Sequence, residues 1–183
     1  MKQNSEQKKQ PSLSFPSKGE KESVELPEPD FIPSVGIIYE NDAWLKPLFS
    51  ALTQAGITHE GIDVRKHGFD LRASQHHTLY LNRVSPSSYM RGNAGAISHA
   101  HALLATLESS GSLVVNGSRS FHMETSKVSQ QLLMNELGVL TPETHAVSSA
   151  AAVLEMIDQF KFPLIWTPDT GGSGALIRRI ENK

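Results

Sequence analysis

The run Thr170-Gly171-Gly172-Ser173-Gly174 is the segment of this sequence best suited to hold an anion. Glycine carries no Cβ, so successive backbone N–H groups of such a run can converge on one phosphate oxygen. The plain alternative is a glycine-rich turn, because Phe162-Pro163-Leu164-Ile165-Trp166 before it and residues 175–180 after it both read as strands of a hairpin. The run lacks the Gly-Lys-Ser/Thr ending of a P-loop, and it does not open a helix as dinucleotide-binding glycines do. Lys127 follows Ser126 at the start of an amphipathic segment and, read alone, is a solvated lysine at a helix start.

Two arginines have a different place. Arg83 and Arg91, in Asn82-Arg83-Val84-Ser85-Pro86 and Tyr89-Met90-Arg91-Gly92, follow a predicted strand, which is where open α/β sheets bind ligands. Either suits a substrate carboxylate, and either suits a solvated loop. The eight histidines give no metal site. Adjacent His76 and His77 point oppositely on an extended segment, and His99 and His101 point to different helix faces, so surface or loop positions are expected for them.

The elements that must position these residues alternate. Val35-Gly36-Ile37-Ile38-Tyr39 is a short apolar run of the buried-strand kind, and Leu45, Leu48, Phe49 and Leu52 follow at helical spacing with Gly56 as the stop. Further strands are predicted near residues 61–64, 79–82 and 113–116. A helix over 94–109, with Ile97, Ala100, Leu103, Leu104 and Leu107 on one face, ends at Gly111. Ser126 is the predicted N-cap of a helix whose apolar face is Val128, Leu132, Leu133 and Leu137, stopped by Gly138. His145-Ala146-Val147 reads as a short strand, and Ala152, Val153, Met156, Ile157 and Phe160 as a further helix. Strands alternating with helices predict an α/β fold with a mainly parallel sheet. The aromatics Trp44, Phe49, Phe160, Phe162 and Trp166 read as core or boundary packing.

Composition sets outer bounds. Residues 1–33 are Lys-, Glu-, Gln-, Ser- and Pro-rich with few large apolar side chains, and are expected to form a disordered tail. A formal net charge of -2 gives no basic excess to attract nucleic acid or an acidic membrane. No apolar run is long enough to span a bilayer, and a chain without cysteine suits the cytoplasm. Nothing indicates an oligomeric state.

In order, Asn116-Gly117, Ser126-Lys127 opening a helix, Glu136-Leu137-Gly138-Val139-Leu140-Thr141-Pro142-Glu143-Thr144, and Phe162-Pro163-Leu164-Ile165 before the glycines resemble the ATP-grasp superfamily. The likeness is to the RimK-type carboxylate-amine (glutamate) ligases. It covers roughly residues 34–182 and is most specific from Asn116 onward.

The resemblance implies a Rossmann-like pre-ATP-grasp domain over residues 34–118 and the first part of an ATP-grasp nucleotide lobe over residues 119–183. It implies ATP and Mg²⁺ as cofactors, and a small or peptide carboxylate activated as an acyl-phosphate before an amine attacks. Lys127, Thr167, Gly171, Gly172, Ser173 and Gly174 would contact ATP. Thr167 stands where the family usually carries lysine. The Mg²⁺ ligands of the family lie in a second lobe beyond the hairpin, so the resemblance implies an inactive fragment, a truncated frame or a degenerate relative. The alternative is a noncatalytic binding or regulatory module on the same scaffold.

Overall fold

The computed structural model describes residues 34–71, 76–172, 174 and 176–183. The expected tail over residues 1–33 and the position of Ser173 lie outside them.

Four parallel strands form the main sheet: β1 (Val35–Tyr39), β2 (His59–Asp63), β3 (Leu79–Asn82) and β4 (Leu113–Val115), in the order β2-β1-β3-β4. In β1, Ile37 and Ile38 point to opposite faces and both are fully buried, so both faces of the sheet are covered. That is why β1 reads as a continuous apolar run. On one face α1 (Asp42–Gln54) brings Phe49 edge-on to Tyr39 and stacked on His59, with ring centroids 5.7 and 5.6 Å apart. On the other, α2 (Ala94–Ser109) contributes Ala96, Ala100, Leu103 and Leu104 to a core that includes Ile38, Tyr80 and Val84. Phe121 of α3 (Ser118–Thr125) completes this core and is fully buried.

The chain continues through α4 (Lys127–Glu136), α5 (Ala150–Met156) and an antiparallel pair, β5 (Leu164–Trp166) and β6 (Arg178–Ile180), with Ile165 opposite Arg179. The hairpin reading of the glycine run therefore holds. Asn41 caps α1 and Ser126 caps α4, its hydroxyl accepting from the Ser129 N–H at 3.1 Å. Gly56, Gly111 and Gly138 follow their helices in the left-handed region, as their role as stops requires.

Two expectations need correction, and two features were not foreseen. Residues 145–147 form no strand. The helix α3 had no visible period, because in eight residues Phe121 is its one buried large apolar side chain. The apolar face expected of α4 is uncovered, with Leu132 57% and Leu137 69% exposed. His77 has the expected loop position, ahead of β3, but is buried: its Nδ1 lies 2.8 Å from the Ser34 hydroxyl and its Nε2 3.3 Å from the Glu60 carboxylate.

Candidate functional site

Two groups of polar residues meet at the 3-10 helix Pro86–Arg91, which follows β3. The first is the start of α4 with the loop between β5 and β6. The Lys127 ε-ammonium donates to the main-chain carbonyls of Pro168 at 2.6 Å and Asp169 at 3.1 Å. The Asp169 carboxylate in turn accepts from the Val128 N–H at 2.8 Å and the Ser126 hydroxyl at 3.2 Å. A negative group thus sits where the first N–H groups of a helix are free and its dipole is positive.

Gly171 and Gly172 lie against the 3-10 helix. A Cβ on Gly171 would stand 3.2 Å from the Tyr89 Oη, and one on Gly172 3.4 Å from the Ser87 Cβ. The Tyr89 hydroxyl is buried with no hydrogen-bond partner among the described residues, an orphaned polar atom beside the glycine loop. Thr167 is exposed, and its hydroxyl donates to the Pro168 carbonyl at 3.3 Å. Gly174 is exposed at a positive φ of 69°.

Where β3 and β4 end, Asn82 and Asn116 exchange hydrogen bonds. The Asn82 amide donates to the Asn116 carbonyl at 3.1 Å and the Asn116 amide to the Asn82 carbonyl at 3.3 Å. Asn116 takes a positive φ of 54°, which asparagine tolerates better than most residues, and so turns the chain into α3.

The second group is a cleft of about 420 Å³ at the C-terminal ends of β1, β2 and β3, lined in part by Glu40, Asp42, Lys46, Arg65, Arg91 and Asn93. Glu40 is 1% exposed and pairs with the Arg91 guanidinium, while the Asn93 amide donates to its Oε2 at 3.4 Å. Arg91 Nη1 donates to the Ser87 hydroxyl at 3.0 Å, and its guanidinium lies 4.7 Å from the centre of the Trp44 ring. Arg65 bridges Asp63 and Asp42, and its hydrogen bonds hold both carboxyls below their ordinary pKa.

The structure thus brings Lys127 together with the glycine loop and sets Arg91 in a cleft. Arg83 is exposed and does not line that cleft. Sequence reasoning missed Glu40, Asp169, Ser87 and Tyr89. A lone carboxylate after a strand carries no spacing signal, although its place at a strand's C-terminal end was a usable hint. Among the described residues no three His, Asp or Glu side chains group as a metal site.

Comparison with solved structures gives the fold. The chain resembles a RimK domain ATP-grasp protein from Sphaerobacter thermophilus DSM 20745, with a TM-score of 0.60 and 16% identity over 81% of this chain and 54% of that one. It also resembles the ATP-grasp ligase PsnB complexed with a minimal precursor, with a TM-score of 0.52 and 18% identity over 82% of this chain and 57% of that one. A further PsnB structure, complexed with precursor peptide PsnA2 and AMPPNP, gives a TM-score of 0.50 at 17% identity over 81% of this chain and 57% of that one. No protein-family model and no curated protein matches. The fold is therefore that of ATP-grasp proteins over the part compared, and the chain spans just over half the length of these structures.

Proposed function

We propose that this chain is the nucleotide-holding first part of an ATP-dependent carboxylate-amine ligase of the ATP-grasp type. Residues 34–118 would form its Rossmann-like domain, and residues 119–183 would open the nucleotide lobe. One observation carries the reading: the Lys127 ammonium, the start of α4 and the loop before Gly171 meet within hydrogen-bond distance.

The residues fit a polyphosphate. The place already accepts an anion, since the Asp169 carboxylate takes the Val128 N–H and the Ser126 hydroxyl. Lys127 would exchange its two carbonyl partners for phosphate oxygens, which are stronger acceptors because they are charged. Gly171, Gly172, Ser173 and Gly174 would lend backbone N–H groups, and Tyr89 a hydroxyl without a partner among the described residues. ATP with Mg²⁺ would supply the phosphoryl group that activates a carboxylate. We assign Mg²⁺ no ligand among the described residues. A small or peptide carboxylate is the proposed substrate, in keeping with the precursor peptide bound by PsnB, and the cytoplasm the proposed setting.

Calorimetry with ATP and Mg²⁺ tests this. Binding should weaken about tenfold in Lys127→Ala and strengthen in Thr167→Lys, each change being one charge-assisted contact. Unchanged binding in both variants overturns the site. The second reading, a noncatalytic module, is favoured by the neutral, exposed Thr167. Since a first part alone is expected to be inactive, the coding sequence past codon 183 separates the two readings: an in-frame acidic-x-Asn cluster there would support the ligase, and a frame without one the module.

A further inference from the structure

The order β2-β1-β3-β4 has a topological consequence at one point. From β1 the chain moves to β2 on one side, then crosses to β3 on the other. Connections leaving in opposite directions open a crevice outside the C-terminal ends of β1 and β3, and open α/β sheets bind ligands there. The cleft holding Glu40 and Arg91 lies at this place, with a volume of about 420 Å³ that suits a small molecule or a peptide end.

Donor counting shows what the cleft offers. A guanidinium has five N–H donors. Arg91 gives one from Nε and one from Nη2 to the Glu40 carboxylate, and one from Nη1 to the Ser87 hydroxyl. One N–H on each of Nη1 and Nη2 remains, and each can donate to a carboxylate oxygen. Glu40, itself buried, fixes the guanidinium from one edge, and Trp44 supports its face. The ordering cost of a long side chain is thus met before a ligand arrives. Lys46 lines the same cleft and has no partner among the described residues, whereas Arg65 is bound to two aspartates. Of the two cations with donors to spare, one is therefore fixed and one free to adjust.

We propose that this cleft is a carboxylate-recognition site, in which Arg91 and Lys46 receive the free carboxylate of an amino acid or peptide and Glu40 acts as the positioning residue for Arg91. Ser87 links it to the glycine loop: its hydroxyl bonds Arg91, and its Cβ lies 3.4 Å from where a side chain on Gly172 would begin. A ligand on Arg91 is then one residue away from the candidate nucleotide site. Only the assignment of this carboxylate to a ligation substrate rests on the ligase reading; the site itself does not.

The test is a backbone-amide NMR titration of the full chain without nucleotide, so failure of ATP binding leaves it readable. The probes are N-acetylglycine, N-acetylglycinamide and inorganic phosphate. Saturable shifts at residues 40–46 and 91–93 with the acid, and none with the amide, are expected. Lys46→Ala, an exposed change that leaves the Glu40 pair intact, should weaken the acid about tenfold, and Arg91→Lys at least as much, with the free-state spectrum retained. Equal shifts from acid and amide, tighter binding of phosphate than of the acid, or no effect of Lys46→Ala would each overturn the proposal.

Discussion

The ε-ammonium of Lys127 lies 2.6 Å from the carbonyl oxygen of Pro168, and this bond ties the start of α4 to the loop that follows β5. The two residues are 41 positions apart, so the contact closes a long piece of chain. Lys127→Met should release the loop at a cost of about 1 kcal/mol, the usual net value of such a bond. Hydrogen exchange at residues 169–172 should quicken in the variant. Exchange rates identical to those of the parent would mean that the bond does not hold the loop.

Asp169 supplies the negative group at that helix start. Neutralising it as Asp169→Asn keeps an acceptor but removes a charge that repels phosphate. Nucleotide affinity should rise, while stability falls by about 0.3–1 kcal/mol through the weakened helix-dipole contact. Calorimetry and thermal melting report the two effects separately. A fall in nucleotide affinity would contradict the competition between Asp169 and phosphate.

In the Glu40 and Arg91 pair the carboxylate is buried and the guanidinium partly exposed. Removing the cation strands a buried charge, whereas neutralising the carboxylate leaves a cation that water can still reach. Arg91→Met should therefore destabilise by roughly 3 kcal/mol or more, and Glu40→Gln by clearly less. Urea unfolding of the two variants measures this, and the reverse ranking would refute the asymmetry.

His67, His77 and His101 all have pKa values lowered from the ordinary 6.5, chiefly because burial disfavours the imidazolium. The unfolded chain then binds more protons than the folded one below 6.5. The stability contributed by the neutral imidazoles is complete above that value and is lost as pH falls through the lowered folded values. Unfolding free energy should decline on acidification from neutral pH, and His77→Gln should flatten the decline. A curve that stays level or rises toward acid would exclude these histidines as its source.

Gly36 in β1 has no room for a methyl group: a Cβ there would meet the His77 ring at 2.6 Å and the Tyr80 ring at 2.8 Å. Both neighbours are buried, so neither can move cheaply. Gly36→Ala should cost about 1–3 kcal/mol, typical of overpacking. Gly95→Ala, with open space around it, should be neutral or stabilising. Equal melting temperatures for the two variants would argue against the close packing of His77 on β1.

Residue order alone fixed much of this molecule, for a reason that is local. The strand Val35–Tyr39, the helix Ala94–Ser109 and the capped helix Lys127–Glu136 are written in apolar period, cap and stop, and each acts within a few positions. The order of motifs around Lys127 and the glycines carried the resemblance to ATP-grasp ligases, and the solved structures bear out its fold. Tertiary structure decided the partners. Glu40 and Arg91 are 51 positions apart and meet only because β1 and β3 pair in parallel with Ile38 opposite Asn82. Asp169 reaches Val128 across 41 positions, a distance on which no period operates. His77 is buried because β3 places it over Gly36, where the missing side chain makes room. For α4 the period told which face is apolar, but whether a face is covered depends on what packs against it, and Leu132 and Leu137 stay exposed.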